Sequence, residues 1–484
     1  MNRLRLRTAL RFVLVRVVVL TAWALAPARA EGEAVGGFPS WPERVLHQWV
    51  NRARCEPAVE MTACGANCGE AACYAPMPPL AWSLALNRAA RFHCDEMTHQ
   101  GYFAHDSQCA LSPTVGTTYP GSCDGSAACA CAAPLPHTSF AARVALFGAV
   151  ASGEVLATGA DPNQAFYLWL FEPAPNPACA FSDENGHRWL ILKSQGSMGA
   201  GVSSHNGLHR SGIDFGAAGT PGRIPSGSHY PRQAPVVQAW ANWYDASAPL
   251  EAFVVVDGSW IPMSLARGTP TNGAWTAPVP GVGGGCHRYF FAFRDSGGAL
   301  VTYPTTGTLG IGPAGSCADW DPAPPLVARA FCAGDGTLPT ACPCGNAGAS
   351  GHGCGNSQNA SGAKLSASGN TAPADTLVLQ ASGMPAIATA ACVFLQGSTR
   401  NTAGIVFGDG LRCAAGTLVR LGTKSMPAGH ARYPEPGDPP LSIRGGVTPG
   451  SGVTRWYQAW YRNAALGFCT SATFNVTSGV EVRW

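Results

Sequence analysis

Nineteen cysteines constrain this chain of 484 residues more than any other feature. Ten lie within residues 55–179, two are Cys286 and Cys317, and seven lie within residues 332–469. In an exported protein, such a set predicts disulfides before it predicts metal ligands or nucleophiles. The three blocks predict pairing within domains. Because the last block is odd, at least one thiol should be free or bonded outside its block.

The N-terminus predicts a secretory signal peptide over residues 1–30. Four arginines and no acid occupy the first eleven residues, an apolar stretch covers residues 17–25, and Ala28-Arg29-Ala30 follows. This order is typical of a cleaved Sec-type leader, so the mature chain is expected to be secreted or displayed at the cell surface. The apolar run is too short to span a bilayer and no later stretch is long enough, which predicts no transmembrane segment.

Charge and length limit the partners and the architecture. Loss of the leader, which carries six arginines and no acid, changes the formal net charge from +3 to −3. Few charged residues on a near-neutral chain argue against nucleic acid as a partner. The length exceeds what one hydrophobic core usually organises, so two or three domains are expected.

Helical signals are confined to the first half of the chain. An amphipathic helix is predicted to follow Ser40, and a second, capped by Ser83, to stop at Gly101. Asp161-Pro162 is expected to open another helix, and an Asn-Gly turn to join two late strands. The predicted helices cover residues 42–54, 84–100, 140–156 and a segment from 162, and the predicted strands cover 198–204 and 207–215.

After about residue 217 the pattern becomes that of antiparallel β structure. Short alternating runs at 253–256 and 289–293 are separated by turn residues, which predicts a small β-sandwich over 225–315. Residues 316–330 are predicted to be a linker. A second all-β domain, with seven cysteines, is predicted over 331–484. The expected fold class is therefore α+β, with a first domain at 40–216 followed by two all-β sandwich-like domains.

Four motifs follow one another within residues 40–216. They are Leu80-Ala81-Trp82 with Gly101-Tyr102-Phe103-Ala104-His105, then Gly153-Glu154, then Gly186-His187-Arg188, then Gly199-Ala200-Gly201-Val202. In kind and order they resemble the bacterial members of the CAP superfamily of cysteine-rich secretory, antigen 5 and pathogenesis-related (SCP-like) proteins. The resemblance implies an α-β-α sandwich for this domain.

The resemblance also implies a cleft in which two histidines and up to two glutamates meet. Carried over motif by motif, these are His105, Glu154 and His187. Glu172 is favoured as the second glutamate because Trp169 to Glu172 keeps the family's Trp-x-x-Glu spacing. Glu184, three residues before His187, is the competing candidate.

The chemistry of this set leaves three possibilities. Two neutral imidazoles and a carboxylate suit a divalent transition ion such as zinc, so His105, His187 and Glu154 are candidate metal ligands. Without metal, the same groups form acid–base pairs, since a carboxylate raises the pKa of a neighbouring imidazole. The third possibility is a buried polar network that joins helices to the sheet. No nucleophile motif accompanies the histidines, so no catalytic residue is assigned.

Three functions follow from these possibilities. The first is a binding protein whose cleft holds a small ligand, a lipid or a cell-envelope component. The second is a zinc-dependent hydrolase or peptidase, with Glu154 or Glu172 as general base. The third is a structural or adhesive envelope protein. The C-terminal part contains Phe331-Cys332-Ala333-Gly334-Asp335-Gly336, Cys342-Pro343-Cys344-Gly345-Asn346, Gly351-His352-Gly353-Cys354 and Gln458-Ala459-Trp460-Tyr461-Arg462. With these segments, residues 331–484 resemble an uncharacterised β module of large exported proteins from planctomycete and myxobacterial bacteria. The likeness implies a surface or secreted bacterial protein and no activity.

Several other features are expected to be structural. His93 lies on the apolar stripe of the second helix and is interpreted as a core histidine. The knuckle-like group of Cys342, Cys344 and Cys354, and likewise Cys129 with Cys131, are interpreted as disulfide partners. Interleaved aromatic residues in the β-sandwich are expected to be core and not a sugar-binding face; they are Trp240, Trp243, Tyr244 and Trp260.

Overall fold

The first part of the chain folds around a four-stranded mixed sheet. The computed structural model describes residues 38–484 except 160, 174–178, 194, 324, 373 and 466, so the predicted leader lies outside the described residues. The helices of this N-terminal unit are α1 (Trp41–Cys55), α2 (Pro57–Glu60), α3 (Leu84–Gln100), α4 (Val115–Thr118), α5 (Ala127–Ala130), α6 (Phe140–Leu146), α7 (Pro162–Leu170) and α8 (Gly186–Leu192). Its strands are β1 (Ala81–Trp82), β2 (Ala110–Leu111), β3 (Cys131–Ala133), β4 (Gly153–Thr158), β5 (Ser197–His205) and β6 (Leu208–Gly216).

Helices cover both faces of this sheet, whose strand order is β1-β5-β6-β4. On one face, α1, α7 and α8 enclose a core with the inward side chains of the strands. On the other face lies α3, which approaches very closely because the facing strand positions are glycines. A Cβ atom on Gly199 would lie 1.9 Å from the backbone nitrogen of Asn87, and one on Gly201 would lie 2.3 Å from the carbonyl carbon of Ala90.

Local signals set the ends of α3 as the sequence predicts. The Ser83 hydroxyl accepts a hydrogen bond from the backbone N–H of Leu86, and Gly101 ends the helix in the left-handed region with φ of 76°. Glycine adopts this conformation without the steric cost that a side chain brings. The Asp161 side chain likewise caps α7, by accepting from the N–H of Asn163.

The predicted helix over residues 140–156 is wrong in its second half. The helix α6 ends at Leu146, and Gly148 follows with φ of 81°. Residues 153–158 instead form the edge strand β4, which pairs antiparallel with β6. Apolar residues in a short run fit both a helix and a strand, and the pairing with a distant segment decides between them.

Two packed sheets form the middle unit, residues 224–321. One sheet has the order β10-β9-β13-β15-β16 with β14 on β13, and the other has the order β11-β12-β8-β7. The strands are β7 (Gly227–Tyr230), β8 (Val236–Tyr244), β9 (Glu251–Val256), β10 (Ser259–Pro262), β11 (Ser264–Thr269), β12 (Asn272–Pro280), β13 (His287–Arg294), β14 (Leu300–Tyr303), β15 (Thr308–Ile311) and β16 (Trp320–Asp321). Their inward side chains form a core of their own.

Helix α1 lies between the four-stranded sheet and the middle unit. Every residue of the helix except Pro42 is buried. Its Gln48 amide donates to the Asn242 side chain at 2.7 Å, and Asn51 accepts from the backbone N–H of Leu80 at 2.7 Å. One helix therefore satisfies polar groups on both of its sides, and the first two units share an interface.

The C-terminal unit, residues 328–484, is built from two further sheets. They have the orders β17-β25-β23-β20-β21, with β24 on β23, and β18-β19-β22. The elements are β17 (Ala328–Phe331), β18 (Lys364–Ser368), β19 (Val378–Ser382), β20 (Ile387–Phe407), β21 (Gly410–Met426), β22 (Ala431–Tyr433), α9 (Leu441–Gly445), β23 (Thr454–Arg462), β24 (Phe474–Val476) and β25 (Gly479–Arg483).

The middle and C-terminal units contact each other through buried charges. Arg294 donates to Glu481, and the two side chains are 4% and 1% exposed. The Trp260 indole donates to the carbonyl oxygen of Ala328 at 2.8 Å. The segment 316–330 contributes β16 and three residues of β17, so five of the fifteen residues of the predicted linker are paired in sheets.

Eight disulfides lie within the three predicted cysteine blocks. The long-range pairs hold together segments that the sequence separates widely, such as Cys73 with Cys179 and Cys344 with Cys469. Cys55, Cys94 and Cys392 are free and buried, so the odd last block does leave one free thiol. The pairs are 64–68, 73–179, 109–131, 123–129, 286–317, 332–413, 342–354 and 344–469.

Among the described residues, no helix combines the length and the apolar character needed to cross a bilayer.

Candidate functional site

His105 and Glu154 form the first of two histidine–carboxylate pairs. His105 follows the turn that ends α3, and Glu154 is the second residue of β4. The Nδ1 atom of His105 lies 2.7 Å from Oε2 of Glu154, and the side chains are 56% and 2% exposed respectively. The imidazole therefore faces solvent while its carboxylate partner is buried.

Arg143, on α6, donates hydrogen bonds to both residues of this pair. Its guanidinium is completely buried and donates to Oε1 of Glu154. The same side chain donates to the backbone carbonyl of His105 at 2.8 Å. A single cation therefore neutralises the buried carboxylate and fixes the loop that carries the histidine. No sequence motif points to this residue.

Asp214 is a second residue beside this pair that no sequence motif indicates. It lies on β6 directly opposite Glu154 in the antiparallel register. Its side chain is completely buried, and neither carboxylate oxygen accepts a hydrogen bond from a described donor. Burial, together with the negative charge of Glu154, raises the pKa of Asp214 well above its ordinary value. A carboxyl group kept neutral in this way can donate its own proton to Glu154.

The surroundings of this pair shift the pKa values of its two members in opposite directions. Burial alone favours the neutral form of Glu154, but the Arg143 charge and the His105 hydrogen bond outweigh it and lower the pKa of the glutamate. The hydrogen bond to Glu154 raises the pKa of His105 above that of a free imidazole, against the smaller effect of burial. The arrangement thus favours an ionised carboxylate and a protonated, half-exposed ring.

His187 and Glu172 form the second pair. Nδ1 of His187, on the first turn of α8, lies 2.5 Å from Oε1 of Glu172, and the side chains are 36% and 13% exposed. The other oxygen of Glu172 accepts from the backbone N–H of Arg188 at 3.1 Å. Arg188 is buried and its guanidinium bonds Glu70, which anchors the helix start. Once more the carboxylate is the less exposed member of the pair and the imidazole the more exposed one.

Glu184, the competing candidate, lies elsewhere. Its carboxylate is fully exposed, and hydrogen bonds from its own backbone N–H and from Ser182 lower its pKa. The contact with His187 belongs to Glu172, as the Trp-x-x-Glu spacing predicts.

The edge strand β4 carries Glu154 and packs against α8, the helix that carries His187. Glu154 points to the face covered by α3, where it meets Arg143. The preceding residue, Gly153, faces α8, and a Cβ atom there would lie 2.5 Å from a methyl group of Leu190. Leu190 is one helical turn beyond His187, so the two lie on the same side of α8. The helix that carries His187 therefore packs on the face of β4 opposite to Glu154, and no hydrogen bond or ion pair joins the two pairs among the described residues. The single cleft that the resemblance implies stays a prediction.

The described side chains do not form the predicted zinc site. Nowhere in residues 38–484, apart from the gaps given above, do three His, Cys, Asp or Glu side chains gather in a way that holds a metal ion. Both oxygens of Glu154 are engaged, one by Arg143 and one by His105. The set of His105, His187 and Glu154 therefore does not fit a metal as it stands, and no step through zinc follows from it.

His93 and the two cysteine groups are structural, as interpreted, whereas Trp243 is the one residue of the four aromatics that is buried in the sandwich core. His93 is buried, with one ring nitrogen 3.2 Å from Glu96 and the other 2.8 Å from the Ala104 carbonyl oxygen. The cysteines of the knuckle-like group and of the 129–131 segment are all in disulfides. Trp243 is buried and stacks on Phe293 with ring centroids 5.5 Å apart.

Comparisons with known proteins find little. No family model and no curated protein match the chain. A tetra-tandem repeat from the extending region of a large adhesion protein is 8% identical, with a TM-score of 0.15 over 52% of this chain and 46% of that one. Dimeric latent PorU from Porphyromonas gingivalis is 12% identical, with a TM-score of 0.15 over 55% of this chain and 22% of that one. The chain thus spans less than half the length of either structure.

Proposed function

We propose that this chain is an exported, CAP-type binding protein that holds a small ligand, a lipid or a cell-envelope component beside its two histidine–carboxylate pairs. One observation carries the proposal. In each pair the carboxylate is the less exposed member and lies against Nδ1, while the imidazole is the more exposed member and its Nε2 atom bonds none of the described residues. Each pair therefore offers one oriented ring nitrogen to a ligand.

The layered N-terminal unit supports the CAP-type assignment. A sheet covered by α3 on one face and by three helices on the other agrees with the α-β-α sandwich that the motifs imply. The glycines of the last motif have a physical role, because they admit α3 to the sheet. Eight disulfides support export to an oxidising compartment, at the cell surface or beyond it.

The polar groups behind the rings support binding over a purely structural network. A network that only joins helices to a sheet would bury both members of each pair, as His93 and Glu96 are buried. In the two site pairs, the ring reaches solvent, and the carboxylate that bonds Nδ1 fixes its orientation. Oriented polar groups at the surface are a feature of ligand sites.

The experiment is a thermal-shift and calorimetric screen of the secreted chain against phospholipids, fatty acids and cell-wall fragments. A ligand that raises the melting temperature of the wild type should lose affinity in the variant of the pair that it contacts, His105→Gln or His187→Gln. The matched control is His137→Gln, an exposed histidine in the same unit. A chain that binds nothing in the screen, or binds equally well in all three variants, would contradict the proposal.

The same variants separate the alternatives. One zinc per chain, removed by both site variants and accompanied by hydrolysis of peptides or esters, would establish the hydrolase. Site variants that leave every cell-surface phenotype intact, in a chain with no ligand, would favour a structural or adhesive protein.

A further inference from the structure

We propose that a cavity between the middle and C-terminal units binds a small organic carboxylate. The cavity measures about 420 Å³ and lies between the loop after β14 and the last strand of the chain. None of the residues of the two histidine–carboxylate pairs lines it. The proposal therefore stands apart from the function proposed above.

Most of the cavity wall is apolar. Pro304, Pro322 and Val327 line it from the middle unit and the segment that joins the units, and Ala372 and Trp484 line it from the C-terminal unit. Both the volume and the apolar lining are in the range of small-molecule sites, which use few polar groups to orient the ligand. The body of a ligand in this cavity is therefore expected to be apolar.

One charged group, Arg483, lies in this wall. Its Nη1 atom donates to the Thr302 hydroxyl at 3.2 Å. No carboxylate among the described residues forms an ion pair with it. The acid beside the cavity, Asp321, uses Oδ1 to accept from the backbone N–H of Ala323. Arg483 is thus a cation that lacks a counter-charge.

The surroundings make this cation a good receptor for an anion. Burial lowers the pKa of Arg483, and no nearby carboxylate offsets that effect. A guanidinium shielded from water is electrostatically unsatisfied, and a carboxylate matches its planar donors with two parallel hydrogen bonds. One guanidinium in a mostly apolar wall, whose other polar side chains belong to four threonines, fits a ligand with a single negative charge.

The test is isothermal titration calorimetry on the full secreted chain, with benzoate and hexanoate as probes and benzamide as the neutral match for benzoate. Both carboxylates should bind saturably at millimolar concentration or below. Benzamide and the Arg483→Gln variant should each show a loss of about tenfold or more, since they lack one half of the ion pair. Arg462→Gln, which alters an exposed arginine on β23, should leave binding unchanged.

A second variant keeps the proposal testable if Arg483→Gln does not fold. Ala372→Leu leaves the guanidinium in place and fills part of the cavity, so it should weaken both carboxylates by a similar factor. The absence of saturable binding by either carboxylate would overturn the proposal. So would equal affinity for benzoate and benzamide, or unchanged affinity in both variants. Since the histidine pairs are untouched, ligand binding there is unaffected by either outcome.

Discussion

Replacement of Asp214 by asparagine should remove a proton that the chain takes up on folding. The folded side chain is buried opposite Glu154 and its pKa is raised well above the ordinary value. In the unfolded chain the same group ionises near pH 3.9. Above that pH the unfolded state has released a proton that the folded state retains. Asparagine keeps the size of the side chain and a hydrogen donor for Glu154, and it carries no titrating proton.

The magnitude follows from linkage. A raised pKa gives stability that is present below the unfolded pKa and lost as pH rises towards the folded value. While the folded carboxyl stays protonated, one proton of difference lowers the free energy of unfolding by about 1.4 kcal/mol per pH unit. Over two pH units in which the folded carboxyl is protonated and the unfolded one is ionised, the free energy of unfolding of Asp214→Asn should rise by about 3 kcal/mol relative to that of the wild type.

The assay is guanidinium denaturation of the disulfide-intact chain, followed by tryptophan fluorescence at several pH values between about 5 and 7. The free energies of unfolding of the wild type and of Asp214→Asn should diverge as pH rises. Asp183→Asn, which alters an exposed carboxylate, should show the same pH dependence of its free energy of unfolding as the wild type. A stability difference between Asp214→Asn and the wild type that does not change with pH would refute the reasoning, because it would mean that Asp214 is ionised in the folded state.

Three further predictions concern stability and thiol chemistry. Arg143→Leu should cost about 3–5 kcal/mol, since it removes the buried cation that neutralises Glu154 and leaves only the more exposed His105 beside the buried carboxylate; calorimetry should show a smaller loss for Arg143→Lys, and an unchanged melting temperature in Arg143→Leu would contradict the buried pair. Gly201→Ala should cost at least about 1–3 kcal/mol through the clash with α3, whereas Gly121→Ala, whose Cβ would meet nothing nearer than 3.6 Å, should be neutral by the same denaturation assay. A thiol reagent should titrate no cysteine in the native chain and three per denatured chain, so reaction of the native protein would argue against burial of the free thiols.

Local sequence signals were sufficient for some elements and insufficient for others. The ends of α3 follow from Ser83 and Gly101 because a hydroxyl cap and a left-handed glycine act within one turn of the helix. The segment 153–158 could not be assigned in this way, since its strand conformation depends on hydrogen bonds to β6, a distant segment. The pairing of cysteines has the same non-local character, and spacing alone does not determine it.

The candidate site shows the same division. The motifs indicate four site residues, and the structure places them in two contacting pairs, His105 with Glu154 and His187 with Glu172. Arg143 and Asp214 carry no motif, because an arginine in a short helix and an aspartate in a strand have no distinctive spacing. Their importance arises from burial against Glu154, which only the fold creates.

The burial of α1 on nearly every side has a consequence for how this protein can change over evolutionary time. A helix with one covered face accepts substitutions on the other, and its domain can be recombined with new neighbours. Here Gln48 and Asn51 are matched to partners in two different units. A substitution tolerated by one unit must also suit the other, so the N-terminal and middle units are expected to be inherited together and to diverge in step.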